Sequence, residues 1–140
     1  MPLHLLKMCV GCDSVADLRQ WQQGRALRGE PVAHRTRNRP RRAAEILAGG
    51  SLYWIIKGQV RVRQRITALD PGVDGEGARF CLIGLDPDLV ETTRLPARPM
   101  QGWRYLDEAE APPDLQAGFR DELDEMPAQL RRELKSLGLL

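Results

Sequence analysis

The stretch Ser51-Leu52-Tyr53-Trp54-Ile55-Ile56-Lys57-Gly58-Gln59-Val60-Arg61-Val62-Arg63-Gln64-Arg65-Ile66-Thr67-Ala68-Leu69 decides the fold class. It is dense in β-branched and aromatic residues, which suit a pleated, half-buried surface. From Gln59 onward apolar and polar side chains alternate, the period of a strand with one face in a core. The sequence predicts one long strand from Ser51 to Leu69, with Gly58 marking a bulge or bend. Its longest apolar run, Leu52 to Ile56, is far short of the roughly 20 residues that cross a bilayer. Downstream, Asp70-Pro71-Gly72-Val73-Asp74-Gly75-Glu76-Gly77 reads as a turn. A second strand is expected from Arg79 to Leu85, pairing with the first as a hairpin.

Upstream, Leu3, Leu5, Leu6, Met8 and Val10 form an apolar strand ending at Gly11. Ser14 is placed to cap a helix, and Asp17 occupies the acidic position of a capping box. Val15, Leu18, Trp21 and Gln22 follow at helical spacing, so a helix is expected from Val15 to Ala26. Gly29-Glu30-Pro31 ends it. A basic loop, His34 to Arg42, leads to Pro40, which suits the first turn of a second helix carrying Ala43, Ala44, Ile46 and Leu47.

Beyond the hairpin, Asp86-Pro87-Asp88 reads as a short turn or helix, and Pro96, Pro99, Pro112 and Pro113 keep residues 101–106 extended or looped. From Asp114 on, Leu115, Phe119, Leu123, Met126, Leu130, Leu134 and Leu137 recur at steps of four and three, an apolar helical stripe interrupted at Pro127. The expected architecture is α+β: a small, mainly antiparallel sheet with two short helices over residues 1–112, and a C-terminal helical segment, 113–140, packed on it. The order of helix, glycine turn and long basic strand resembles small RNA-binding barrels of the PUA and ASCH type, a likeness of architecture alone.

The apolar share of 42% and charged share of 29% are those of a globular domain. The net charge of +2 hides an asymmetry: residues 1–65 carry 13 basic and 4 acidic side chains, residues 66–140 carry 8 and 15. Either the basic half meets an external polyanion or the two halves neutralise each other. Three cysteines fit a reduced compartment better than a disulfide framework, and the first residues lack signal-peptide features, so a cytoplasmic protein without membrane attachment is expected.

Arginine supplies the best candidates for a site. Arg61, Arg63 and Arg65 are expected on one face of their strand, about 6.6 Å apart at roughly 3.3 Å per residue, near the spacing of successive phosphates. Arg35, Arg37, Arg39, Arg41 and Arg42 form a second cluster free of acids, and Trp103 or Tyr105 could stack bases. The competing reading pairs this ladder with Asp86, Asp88, Glu91 or the acidic run 121–125. The leading expectation is a binding module for nucleic acid, RNA slightly ahead of DNA, or for another polyanion.

Catalytic motifs are missing. Cys9-Val10-Gly11-Cys12 lies where a thioredoxin-like pair would sit, but Asp13 and Ser14 put negative charge beside Cys12, and no proline or tryptophan lies in or just before the motif. Zinc would need two further ligands from His4, His34 or Cys81, and no second paired motif exists, which leaves Cys9, Cys12, Cys81 and His34 as weak metal candidates. Neither a G-x-S-x-G elbow nor a glycine-rich phosphate loop occurs. No cofactor is expected. Two alternatives remain: a small enzyme acting on an anionic metabolite through His34 or Cys12, and an adaptor or homodimer using the C-terminal helix.

The blocks His4-Leu5-Leu6-Lys7-Met8-Cys9-Val10-Gly11-Cys12-Asp13-Ser14, Gly49-Gly50-Ser51-Leu52-Tyr53-Trp54-Ile55-Ile56-Lys57-Gly58 and Gln101-Gly102-Trp103-Arg104-Tyr105-Leu106 resemble domain of unknown function 1489, a family of small, mainly alphaproteobacterial proteins. The resemblance implies a single cytosolic domain. It brings no activity and no catalytic residues.

Overall fold

At Lys57 and Gly58 the backbone turns left-handed, with φ of 51° and 77°. Two consecutive positive-φ residues make the tight turn whose twist matches a hairpin. The expected single strand is therefore two, Ser51–Ile56 and Gln59–Val73, folded back on each other. Gly58 closes a turn instead of bending a strand.

The computed structural model describes residues 2–115, and the expected C-terminal helix lies outside the described residues beyond Leu115. In chain order the elements are β1 (Leu3–Met8), α1 (Val15–Leu27), β2 (Ala33–Thr36), α2 (Ala43–Leu47), β3 (Ser51–Ile56), β4 (Gln59–Val73), β5 (Arg79–Leu85), β6 (Val90–Pro96) and β7 (Trp103–Asp107), followed by a 3₁₀ turn at Glu108–Glu110. The strand content exceeds the expectation. Part of the basic loop is β2, the segment expected as turn, Asp70 to Val73, continues β4, and β6 was not foreseen.

The cap on α1 forms as anticipated. Ser14 Oγ accepts from Asp17 N–H at 3.2 Å, while the Asp17 carboxylate takes the N–H of Asp13, one residue before the usual capping-box partner. Gly29, at φ 75°, ends the helix, with its N–H on Ala26 O and that of Glu30 on Arg25 O.

The sheet runs β2-β5-β4-β3-β1-β7, and every pairing is antiparallel except β1 with β3. β6 also pairs with β4. Ile66 N–H donates to Gly50 O while Arg65 O accepts from Asp86 N–H. Those two groups belong to one peptide and point to opposite edges, so β5 and β6 follow one another along the edge of β4 that β3 leaves open. Residues 113–115 extend this edge: Thr93 N–H donates to Pro113 O, and Leu115 N–H to Glu91 O.

In a flat sheet β2 and β3 would stand three spacings apart, roughly 14 Å. Instead the His34 ring on β2 lies 5.3 Å from the Trp54 ring on β3. The sheet therefore curls over itself, and β4 carries a register shift between Ile66 and Ala68. Inside the curl Leu5, Leu52, Trp54, Val62, Ile66, Cys81 and Ile83 pack with Val15 and Leu18 of α1 and Ile46 of α2. The outer face of β1 and β3 carries a second cluster, Tyr53, Ile55, Val60 and Leu106, against Ala97, Met100 and Ala111. The curl resembles part of a barrel, but β2 and β7 end the sheet and no ladder joins them among the described residues.

One polar group sits fully inside. Gln64 exchanges two hydrogen bonds with Gln22, of 2.8 and 2.7 Å, accepts from Trp54 Nε1 at 2.9 Å and donates to Asp86 O at 3.0 Å. With both ends of the carboxamide satisfied, its burial is compatible with a stable core.

Candidate anion-binding surface

The loop after β2 is pinned on two sides. On one side Arg39 Nε donates to Leu69 O on β4 at 2.9 Å. On the other, Trp103 Nε1 donates to Asn38 O at 2.8 Å, and Arg42 N–H to the Tyr105 hydroxyl at 3.2 Å. The curl of the sheet is what lets β7 reach a loop that follows β2. Arg42 also places its guanidinium 5.6 Å from the Tyr105 ring, and Trp103 and Tyr105 meet edge-on at 4.9 Å. Both predicted aromatics thus lie against the predicted basic loop.

Between the loop and the β4–β5 hairpin opens a cavity of about 650 Å³. Arg37, Arg39, Arg41 and Arg79 line it with Asn38, Pro71, Gly72, Val73 and Phe80, and no carboxylate among the described residues does. Its wall follows from strand register. Gly72 pairs with Phe80, and the Phe80 ring lies over the bare glycine, so near that a Cβ there would meet the ring at 2.3 Å. Arg35 stacks on Phe80 at 4.1 Å and reaches Asp74 at 3.5 Å. The Asp74 carboxyl is held below its ordinary range, chiefly by the N–H groups of Ala78 and Glu76 and less by Arg35. Arg42 is bidentate to Glu45, at 2.5 and 2.8 Å. Among the described residues Arg37, Arg39, Arg41 and Arg79 form no ion pair.

Sequence reasoning missed Arg79, Phe80 and Gly72. The sequence places Gly72 in a turn, whereas it sits in β4 and forms part of the cavity wall. The signal that would have found it is the register of the hairpin, with the turn confined to Asp74–Ala78.

The strand arginines are placed elsewhere and do not form a single row. Val60 pairs with Ile55 and Val62 with Trp54, so Arg61 is an extra residue at a bulge. As a result Val60 and Val62 fall in different clusters on opposite faces. Arg61 lies near Glu91 and Arg94, and its guanidinium is partly desolvated. Arg63 is bidentate to Asp114 at 2.7 Å on each arm and reaches Ser51 Oγ at 3.2 Å; Arg65 is exposed. The Arg63 hydrogen bonds hold the Asp114 carboxyl below its usual range. Arg63 is thus neutralised within the chain by Asp114, an acid not proposed from sequence, while Glu91, one of the acids that was, lies beside Arg61.

The candidates for other chemistry are scattered. His4 accepts from Ser51 N–H through Nδ1 at 2.9 Å and pairs with Glu108 through Nε2, so both ring nitrogens are engaged. His34 faces the inner cluster between Trp21 and Trp54, on the opposite side of the sheet from His4. Cys9 and Cys12 are joined as a disulfide, which corrects the expectation of reduced cysteines, and Cys81 is a buried free thiol. Among the described residues no group of three His, Cys, Asp or Glu side chains could hold a metal ion, and no helix is long and apolar enough to cross a membrane.

A family model described as "Protein of unknown function (DUF1489)" matches residues 5–140, and the chain belongs to that family. No curated protein and no solved structure matches it.

Proposed function

We propose that this member of the DUF1489 family is a binding module for nucleic acid, RNA ahead of DNA, that seats phosphates in the arginine-lined cavity. One observation carries the reading: Arg37, Arg39, Arg41 and Arg79 converge on a single opening with no carboxylate in its lining among the described residues. Guanidinium forks suit phosphate oxygens, and clustered unpaired cations gain from releasing the counterions of a polyanion. Tyr105, on β7 with its hydroxyl against Arg42 at the end of that loop and 37% exposed, offers a face on which a base can stack. Arg61, Arg63 and Arg65 have no part in this narrower site.

The test is fluorescence anisotropy of a labelled single-stranded RNA across a salt series. The logarithm of affinity should fall linearly with the logarithm of salt, by about 0.7 per phosphate neutralised. Arg37→Ser/Arg41→Ser should flatten the slope by about 1.4, whereas Arg65→Ser should leave it alone. Gly72→Ala, which displaces Phe80 without removing charge, should weaken binding with little change of slope. Absence of binding at low salt, or an unchanged slope in the double variant, refutes the proposal.

A further inference from the structure

Alternation along β3 turns Ser51 and Tyr53 to the outer face of the sheet, and the register of β1 with β3 sets His4 beside Ser51. Arg63 is the partner of Tyr53 on β4, so its side chain joins that face. Beyond β7 and its 3₁₀ turn, Pro112 and Pro113 keep the chain extended on its way to β6. There Thr93 N–H donates to Pro113 O, and Thr92 bridges Asp114. Between this crossing segment and the sheet lies a cavity of about 360 Å³, lined by His4, Ser51, Tyr53, Arg63, Glu108 and Asp114 against proline and alanine walls. Its size falls within the range of small-molecule sites, roughly 300–1,000 Å³.

Three of these polar side chains are more than nine-tenths buried: His4 is 4%, Ser51 2% and Tyr53 5% exposed. His4 Nδ1 accepts from Ser51 N–H at 2.9 Å, so the ring carries its proton on Nε2, towards Glu108. Arg63, bidentate to Asp114, also donates from Nη1 to Ser51 Oγ at 3.2 Å. Two donors are left over. Among the described residues neither the Tyr53 hydroxyl nor the Ser51 hydroxyl proton has an acceptor, and both groups line the cavity. Burial raises the Tyr53 pKa, which keeps the phenol protonated at neutral pH. A buried hydroxyl without a partner is costly, and a ligand atom in the cavity would supply one.

The charges of the lining select the ligand. Arg63 and Asp114 cancel, and with His4 neutral the Glu108 carboxylate remains, which repels anions. An ammonium would gain from Glu108 but would meet the Arg63 guanidinium at the Ser51 end. A hydroxyl group satisfies both ends, since it accepts from one partner and donates to another. We propose that this cavity binds a neutral polyhydroxylated molecule of monosaccharide size, whose hydroxyls accept from Tyr53 and Ser51 and donate to Glu108. The site shares no lining residue with the arginine-lined cavity and does not depend on it.

The test is amide NMR of the isotope-labelled full-length protein, titrated with D-ribose, D-glucose or myo-inositol to about 50 mM, a range suited to millimolar affinity. At least one of the three should give saturable shifts centred on His4, Ser51, Tyr53 and Glu108, and sodium acetate and methylammonium chloride should bind more weakly. Tyr53→Phe and Glu108→Gln, which each remove one ligand contact with little change of volume, should weaken binding by about 3–10-fold. Should Tyr53→Phe fail to fold, Glu108→Gln on the more exposed rim decides. Arg37→Ser/Arg41→Ser should bind the sugar as the wild type does, so this proposal and the nucleic-acid reading fail separately. Saturable shifts from none of the three, tighter binding of either ion, full affinity in either folded site variant, or loss of sugar binding in the arginine double variant overturns the proposal.

Discussion

Lowering the pH from 7.5 to 5 should destabilise the fold through His34. The imidazole lies on β2 with Trp54 at 5.3 Å and Trp21 at 6.3 Å, and burial, followed by the positive charges of Lys7 and Arg25, lowers its pKa from 6.5 to about 4. In the unfolded chain the ring binds a proton as pH falls through 6.5, while in the folded chain it stays neutral until about 4. The unfolded state then holds more protons, so stability present above 6.5 is lost on descending to 4. With these two values the loss is about 2 kcal/mol at pH 5 and about 3 kcal/mol once both states are protonated. For a domain of this size, 2 kcal/mol corresponds to a drop of about 6–10 °C in Tm. Urea unfolding of the wild type and of His34→Phe, at both pH values, isolates the effect. Phenylalanine can keep the edge-on ring contacts without titrating. The paired carboxyls Asp74 and Asp114, held low in both proteins, should cancel in the difference. The wild type should lose about 2 kcal/mol more than the variant between pH 7.5 and 5. Equal losses in the two proteins, or an NMR titration of His34 centred near 6.5, would refute the reasoning.

Two further pairs of substitutions test the packing that positions the site. A Cβ on Gly50 would lie 2.1 Å from Leu3 O and 2.7 Å from Ile46 O, backbone atoms that cannot swing aside. Gly50→Ala should cost more than about 3 kcal/mol in chemical denaturation, whereas Gly75→Ala, with nothing within 4 Å, should change stability little. Gln64→Leu leaves the Gln22 carboxamide, the Trp54 N–H and Asp86 O without their partner and should cost about 2–4 kcal/mol. Gln22→Leu, which leaves Gln64 bonded to Trp54 and Asp86, should cost less, and the reverse order would show that the network is not what stabilises this part of the core.

The features the sequence alone determined are the local ones. Ser14 and Asp17 announced the start of α1, the strand expected over Arg79–Leu85 formed as β5, and the acid-free run of arginines marked the loop that lines the cavity. These depend on neighbours a few residues apart, whose propensities survive in any fold. What only the tertiary structure decided is pairing and register. From the sequence Gly58 reads as a bulge or bend within one strand, and only the pairing of β3 with β4 makes it a hairpin turn. One extra residue at Arg61 reversed the facing of the valines around it, which no local pattern reveals, because a bulge exists only relative to the opposite strand. Phe80 lies on Gly72, and Trp103 on the loop beside Asn38, through contacts across long stretches of chain. Side-chain direction in a sheet repeats every two residues, so a single slip in a distant pairing changes which groups meet, and the amino-acid pattern along one strand cannot encode that slip by itself.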